Sequence, residues 1–178
     1  ETFKLPSPFF VMANNNPIET SGVYDLPEAQ VDRFLFKLII GYPQKKDEKE
    51  IMGSNNTLKS FEEFDIQPIL SPEKIIDMQK VTKSIFIDDK VKDYIINLIA
   101  KTRTKDFKNG QYIEWGGSPR ASIGLFIASK AQALMKGRDY VIPEDVKAIA
   151  HYVLRHRIIL NYKAGAEGIT SDDVIDEI

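Results

Sequence analysis

Three positions in this 178-residue chain carry side chains that could act on a phosphate group. The cluster Asn14-Asn15-Asn16-Pro17 follows the apolar run 9–13, and an amide side chain there could orient a water molecule or contact a terminal phosphate. Arg33 precedes the apolar run 34–40. Its guanidinium stays charged and presents a planar fork of donors that could stabilise charge on a transferring phosphoryl group. Arg120 lies in the first turn of a predicted helix, where the helix start and the cation together could hold phosphate.

Each of these positions also has an ordinary structural interpretation. Asn16 and Pro17 could form a simple turn, because asparagine is a leading turn residue. Arg33 could be a solvated charge or the ion-pair partner of Asp32. Arg120 opposes the helix dipole at a cost of roughly a few tenths of a kcal/mol, so it could equally be a surface arginine. Taken singly, the three positions leave both interpretations open.

Other kinds of chemistry find no support in the sequence. The chain has no cysteine, so neither disulfides nor cysteine-based metal sites are predicted, and His151 and His156 lack partners at metal-ligand spacing. No G-x-S-x-G motif occurs. The formal net charge of −2 and the absence of a basic stripe argue against nucleic acid as a partner. No apolar run approaches the ~18 residues that cross a bilayer.

Two continuous apolar runs, 9–13 and 34–40, predict buried strands that would position Asn16 and Arg33. Continuous apolarity means burial on both faces, as in the parallel sheet of an α/β domain. Ligands of such sheets bind outside the carboxyl ends of the strands, which suits a polar cluster after the first run. Between the runs, residues 26–33 predict a short helix.

From residue 71 the sequence predicts helices, and it marks their starts by capping residues. The starts lie at Ser71 with Pro72, Asp88, Ser118 with Pro119, Pro143 and, more weakly, Ser171. Gly137 is expected to end the helix that begins at Ser118. The predicted apolar stripe of that helix is Ile123, Phe126, Ile127, Ala131 and Leu134. The stripe of the next helix is Val146, Ile149, Ala150, Val153 and Leu154, with Arg155, His156 and Arg157 in its last turn.

The chain is therefore expected to combine a small α/β part with a helical bundle. It begins at Glu1 with neither a basic leader nor an apolar signal core. Because a core strand is predicted so near this start, we expect a preceding part of the domain to be missing. Trp115, among glycines in a predicted loop, could cover a core edge or face a partner, and the sequence does not decide between these.

The three phosphate-binding candidates occur in the order that one known family would give them. Residues 8–19 resemble the sensor 1 strand of MoxR-type AAA+ ATPases, and residues 22–34 resemble the arginine-finger segment of that family. Residues 117–122 resemble its sensor 2 motif, and residues 137–146 with 156–158 resemble its helical lid. The resemblance covers nearly the whole chain and is specific in combination.

The resemblance implies a role for each candidate. Asn16 would be the sensor 1 residue, catalytic and nucleotide-binding, which places the attacking water near the terminal phosphate. Arg33 would be a second catalytic residue, the arginine finger that reaches the nucleotide of the next subunit. Arg120 would be the nucleotide-binding sensor 2 arginine that couples nucleotide state to lid position. The family commonly has Thr-Gln where this chain has Asn14 and Asn15, but Asn16-Pro17 is kept.

The resemblance also implies a division of the chain and a fold class. Residues 1–43 would be the C-terminal part of an AAA+ α/β core, 44–70 a linker, and 71–178 an all-α lid, so that the whole is predominantly helical. The chain contains no G-x-x-x-x-G-K-[ST] loop and no apolar run ending in paired acids. In the family these lie on strands before the sensor 1 strand, one of which separates the two strands predicted here. We therefore expect no ATP hydrolysis by this chain alone.

At the level of function, the resemblance implies a chaperone-like motor that couples ATP hydrolysis to maturation or activation of partner proteins. Its cofactors would be ATP and Mg²⁺, bound by the full-length protein, and no metal ligand is predicted in this chain. The partners would be a homo-oligomeric ring, expected to be a hexamer, and proteins with von Willebrand factor A domains, in the cytoplasm. The alternative is a stand-alone helical interaction module that descends from such an ATPase and no longer binds nucleotide.

Overall fold

The computed structural model describes residues 2–15, 26–54 and 66–178. The described helices are α1 (Glu28–Val31), α2 (Lys45–Ser54), α3 (Pro72–Ser84), α4 (Asp89–Thr104), α5 (Pro119–Met135), α6 (Pro143–Leu154), α7 (Tyr162–Glu167) and α8 (Ser171–Glu177). A 3₁₀ turn spans Lys108–Tyr112, and the strands are β1 (Ile113–Trp115) and β2 (Ile159–Leu160). The predominantly helical fold class predicted from the sequence is thus confirmed. No described helix is both long and apolar enough to cross a membrane.

The predicted capping residues begin their helices as expected. The side chains of Ser71, Asp88 and Ser118 accept backbone N–H groups at the starts of α3, α4 and α5. Each thereby satisfies a donor that has no partner within its helix. After α5, Gly137 adopts a φ of 71°, a backbone conformation that glycine reaches without strain. The helix boundaries from residue 71 onward are therefore set largely by local sequence.

The core forms where α5 packs against α6 and α4, with α8 closing one side. The stripe predicted for α6 is confirmed, since all five of its residues are buried. Fully or nearly fully buried apolar side chains from the other elements include Ile95, Ile99, Ile113, Ala121, Leu125, Ala128 and Val174.

The stripe predicted for α5 is correct only in part: Phe126 and Leu134 pack against the core, but two other members do not lie on the buried face. Ile123 is 57% exposed and Ile127 47% exposed, whereas Ala121, Leu125 and Ala128 face the core. Helix α5 is apolar on most of its surface, so spacing alone cannot identify the inward face. Small residues determine which face of α5 is buried, because they let neighbouring helices approach closely. A Cβ atom added to Gly124 would lie 2.9 Å from a methyl group of Val153 in α6.

The two predicted strands do not form in the described part of the chain. Residues 9–13 and 34–40 lie outside every described helix and strand, and Phe10, Met12 and Ile40 are largely exposed. A strand needs another strand as partner for its backbone groups, and no described strand pairs with either run. The one sheet that the described residues form is the short antiparallel pair of β1 and β2.

Residues 45–54, predicted as part of a linker, form helix α2. The predicted linker thus contains a helix, while the division into residues 1–43, 44–70 and 71–178 stays a prediction. Helix α1 confirms the short helix predicted within residues 26–33. It ends at Val31, and Asp32, which caps it, contacts the helical bundle.

Candidate functional site

The carboxylate of Asp32 joins three elements that are distant in sequence. It accepts hydrogen bonds from Ser118 Oγ at 3.1 Å, Arg120 Nη1 at 3.2 Å and Arg157 Nε at 3.0 Å. Ser118 and Arg120 begin α5, and Arg157 lies in the turn after α6. The end of α1 is therefore tied to both major helices of the bundle through one acidic side chain.

Arg157 is the buried cation of this cluster, with a side chain only 3% exposed. Its Nη2 donates to the backbone carbonyl oxygens of Asp32 at 3.0 Å and Phe34 at 2.6 Å. Its Nη1 donates to the carbonyl oxygens of Leu35, at 3.1 Å, and Val153. With the Asp32 carboxylate, these partners use the whole guanidinium fork, which a lysine could not do.

The charges of the cluster depend on one another. Burial by itself raises the pKa of the Asp32 carboxyl, but hydrogen bonds from Ser118, Arg120 and Arg157 outweigh it, so the pKa lies below its usual value. Burial lowers the pKa of the Arg157 guanidinium, and the attraction of Asp32 opposes that shift. An arginine remains protonated at neutral pH, so the cluster holds a buried ion pair with additional hydrogen bonds.

The residues around Arg157 attach the same backbone segment. The ring nitrogen Nε2 of His156 lies 3.0 Å from the carbonyl oxygen of Phe34, and Arg155 Nη1 donates to the carbonyl oxygen of Lys37 at 3.3 Å. The Lys37 N–H in turn donates to the carbonyl oxygen of Tyr152 at 2.9 Å. Burial lowers the pKa of His156, and so favours its neutral form, which donates from Nε2 to Phe34.

Arg120 stands at the outer side of this cluster. Its side chain is 56% exposed and has the Asp32 carboxylate as its ion-pair partner, while its backbone N–H is capped by Ser118 Oγ at 3.2 Å. An ion pair this exposed contributes little to stability. The guanidinium thus keeps donors that face solvent.

Arg33, the residue after Asp32, is exposed. In the described residues no hydrogen bond or ion pair involves its side chain, and its backbone N–H donates to Gln30 in the turn after α1. The interpretation of Arg33 as the ion-pair partner of Asp32 is wrong, because Asp32 pairs with Arg120 and Arg157 instead. Arg33 and Arg120 thus both have exposed side chains, and Arg120 is paired with the residue next to Arg33 in the chain.

Two protein-family profiles match the chain. One, the AAA lid domain, matches residues 107–178, and the other, the ATPase family associated with various cellular activities (AAA), matches residues 1–36. The chaperone MoxR1 of Mycobacterium tuberculosis is 41% identical over 183 residues, which cover 99% of this chain and 47% of the relative. The chain belongs to the MoxR-type AAA+ family.

Further relatives agree with the MoxR-type AAA+ assignment. The uncharacterized protein YeaC of Bacillus subtilis is 41% identical over 177 residues, covering 99% of this chain and 53% of that protein. The crystal structure of a candidate ATPase from Cytophaga hutchinsonii matches with a TM-score of 0.87 and 38% identity, covering 98% of this chain and 53% of that one. The chain spans about half the length of the curated relatives it matches.

The third candidate residue of this MoxR-type chain, Asn16, lies outside the described residues. The structure thus brings Arg120 to the segment that carries Arg33, and the role of Asn16 stays a prediction. The described residues contain no group of three or more His, Cys, Asp or Glu side chains that could hold a metal ion.

A shallow cleft of about 180 Å³ borders the cluster. Trp115 lines it together with Glu28, Ser118 and His156. The indole is 66% exposed, so Trp115 does not cover the core, and the other interpretation, that it faces a partner, stays a prediction. Residues of α1 and the capping residue of α5 both line this cleft.

Sequence reasoning missed Asp32 and Arg157 as members of the site. They are 125 residues apart, and nothing in their spacing predicts a contact. One signal was available: Arg155, His156 and Arg157 follow directly on a fully buried helix stripe, where strongly polar side chains need partners.

Proposed function

We propose that this chain is part of a ring-forming ATPase in which Arg33 and Arg120 contact the same bound nucleotide. The observation that carries the proposal is the ion pair between Arg120 and Asp32, the residue next to Arg33. Arg120 contacts the residue next to Arg33 in the chain, so we expect a phosphate chain that reaches one of these arginines to be close to the other. A finger arginine acts on the nucleotide of a neighbouring subunit, and this geometry supports the same trans arrangement for Arg120.

The chemistry of the two side chains fits the terminal phosphates of a nucleotide. Both guanidinium groups are exposed, and each can offer paired N–H donors to phosphate oxygens. In phosphoryl transfer, catalysis consists almost wholly of positioning and charge stabilisation, which is what such cations provide. ATP and Mg²⁺ would be held chiefly by residues of the full-length protein that this sequence does not contain, and Asn16 would position the attacking water.

The wider biological role is also a proposal. The names of the relatives support a chaperone-like motor, and we propose that ATP hydrolysis drives maturation or activation of partner proteins, with von Willebrand factor A domains among them. A hexameric ring and a cytoplasmic location complete this proposal. The competing function is a helical interaction module without nucleotide binding, for which the exposed Trp115 beside the cleft is the favouring observation.

The test uses the full-length ATPase with Arg33→Ala, Arg120→Ala and, as a charge-loss control, Lys80→Ala. Lys80 pairs with Asp77 on the exposed surface of α3. Turnover and binding of a fluorescent ATP analogue are measured for each variant. We expect Arg33→Ala to lower turnover by about 10³-fold or more while binding stays largely intact, since finger arginines act on the transition state. Loss of binding with unchanged turnover per bound nucleotide would contradict the finger assignment.

Mixing experiments test the trans arrangement. Each arginine variant is combined with subunits whose P-loop lysine is replaced, so that neither parent ring hydrolyses ATP. If Arg33 and Arg120 both act on the neighbour's nucleotide, both mixtures regain activity at interfaces that join an intact P-loop to intact arginines. Recovery with Arg33→Ala but none with Arg120→Ala would mean that Arg120 serves its own subunit. The 178-residue chain alone is expected to show no turnover, and the interaction-module alternative predicts no nucleotide binding even by the full-length protein.

A further inference from the structure

The segment 32–37, which carries Arg33, is held to the helical bundle through its backbone. Arg157 donates to the carbonyl oxygens of Asp32, Phe34 and Leu35, His156 bonds to that of Phe34, and Arg155 to that of Lys37. All three side chains belong to the turn after α6. A contact made to carbonyl oxygens fixes the path of the backbone, and it therefore fixes where the neighbouring Arg33 side chain starts.

The other side of the segment is fixed by α5. Asp32 accepts hydrogen bonds from Ser118 and Arg120 at the helix start, and a Leu35 methyl group lies 3.5 Å from the place of a Cβ on Gly124. Segment 32–37 is thus bound between the first turns of α5 and the turn after α6. Moving it relative to the bundle would break the Arg157 bonds and leave a nearly fully buried guanidinium without partners, which is costly.

We propose that Arg157 is a positioning residue that makes the arginine-finger segment and the helical lid one rigid unit, so that Arg33 moves with the lid. This inference rests on the proposed function of Arg33. Arg157 itself touches no nucleotide in this scheme, because its donors are occupied by Asp32, Phe34, Leu35 and Val153. The consequence is that a displacement of Arg120 by nucleotide also displaces the finger.

The first test is structural and needs no ATPase activity. Hydrogen–deuterium exchange is followed over residues 33–37 in the nucleotide-free full-length protein, with and without Arg157→Met. The N–H groups of Arg33, Phe34 and Lys37 are hydrogen-bonded and should be protected. Loss of the Arg157 bonds should raise exchange across this segment by about tenfold or more. Unchanged exchange in Arg157→Met would overturn the proposal.

The matched control is Arg138→Met, which removes a different arginine–aspartate pair of the bundle. Arg138 pairs with the fully buried Asp145 and forms no hydrogen bond or ion pair with segment 32–37 among the described residues. It should lower the thermal midpoint but leave both exchange at residues 33–37 and turnover near wild type. If Arg138→Met raises exchange in the segment as much as Arg157→Met does, the effect is general destabilisation and the positioning role fails.

The second test separates positioning from folding. Arg157→Met should lower turnover by about 10²-fold with ATP binding retained, as a misplacement of about 1 Å can do. Mixed with P-loop-deficient subunits, it should regain activity as Arg33→Ala does, because its own nucleotide site is intact and only its finger is misplaced. Recovery with Arg33→Ala but none with Arg157→Met overturns this inference alone. Failure of Arg33→Ala to recover overturns the proposed function itself, while the exchange result still decides whether Arg157 holds the segment.

Asp32→Asn provides the variant to use if Arg157→Met does not fold. It weakens the ionic contact to Arg157 but leaves the carbonyl contacts in place, so we expect the same changes at smaller amplitude. Wild-type exchange and turnover in Asp32→Asn, with Arg157→Met unfolded, would count against the proposal. Arg157→Lys should resemble Arg157→Met rather than wild type, because an ammonium group cannot reach five acceptors in the geometry of the fork.

Discussion

Replacing Leu125 in α5 by alanine tests which face of that helix is buried. Leu125 is fully buried, with 0% of its surface exposed, between α5 and the rest of the core. Leu→Ala at such a site removes apolar burial and leaves a cavity, which together cost about 2.7–5 kcal/mol. For a chain of this size, that corresponds to a fall in Tm of roughly 5–20 °C.

The matched variant is Ile123→Ala in the same helix. Ile123 is 57% exposed, so it buries less than half of its side chain. Full burial of an isoleucine is worth about 1.5–3 kcal/mol, which scales to roughly 0.6–1.3 kcal/mol here. Alanine has the higher helix propensity by a few tenths of a kcal/mol, so we expect a net loss of about 0.5 kcal/mol.

The assay is urea unfolding of the chain at pH 7, followed by circular dichroism, with thermal midpoints as a second measure. The structure requires Leu125→Ala to cost several times more than Ile123→Ala. The apolar stripe predicted from the sequence requires the reverse order, because Ile123 belongs to that stripe and Leu125 does not. Equal losses, or a larger loss for Ile123→Ala, would refute the packing described for α5.

Two further predictions concern the backbone and pH. Gly116→Ala should destabilise the chain by about 1–3 kcal/mol in urea unfolding, because its Cβ would lie 2.5 Å from the carbonyl oxygen of Thr102. Gly165 in α7 is the control, because no atom lies within 4 Å of a Cβ added there. Gly165→Ala should be neutral or stabilising by up to ~1 kcal/mol. If both variants lose the same stability, the close contact between Gly116 and Thr102 is not the cause. Burial holds the pKa of His156 in the folded chain below 6.5, its usual value. As the pH falls through 6.5, His156 therefore binds a proton more readily in the unfolded chain than in the folded chain. The free energy of unfolding should therefore decrease from pH 7.5 to 5.5, and His156→Gln should flatten that decrease; an unchanged slope would show that His156 is not the group responsible.

Local signals were sufficient to predict where α3, α4 and α5 begin. Ser71, Asp88 and Ser118 act within a few residues of themselves, and a capping side chain meets its N–H partner whatever the rest of the chain does. The α6 stripe was also predictable, because apolar and polar residues alternate there with helical spacing. The helix caps and the α6 stripe could be predicted because each depends on residues that are close together in the sequence.

Features that depend on distant neighbours could not be predicted in this way. The inward face of α5 is set by how closely α6 approaches Gly124, and the sequence of α5 alone does not contain that distance. The strands predicted at 9–13 and 34–40 need partners, and apolarity shows only that burial would be favourable, not that a partner lies in the chain. The contact of Asp32 with Arg157 spans 125 residues and has no periodic signal.

The position of Arg120 shows how the structure changes the argument for a phosphate site. A cation in the first turn of α5 runs against the helix dipole, and that was a reason to expect an anion nearby. The structure supplies one within the chain: the Asp32 carboxylate lies at the start of α5 and contacts both Ser118 and Arg120. The dipole argument therefore no longer requires a phosphate. What supports nucleotide contact is that Arg120 stays half-exposed after pairing, whereas Arg157, which pairs with the same carboxylate, is buried. Asp32 thus pairs with two cations of different kinds. Arg157 is fixed inside the bundle, whereas Arg120 is still able to bind an anion outside it.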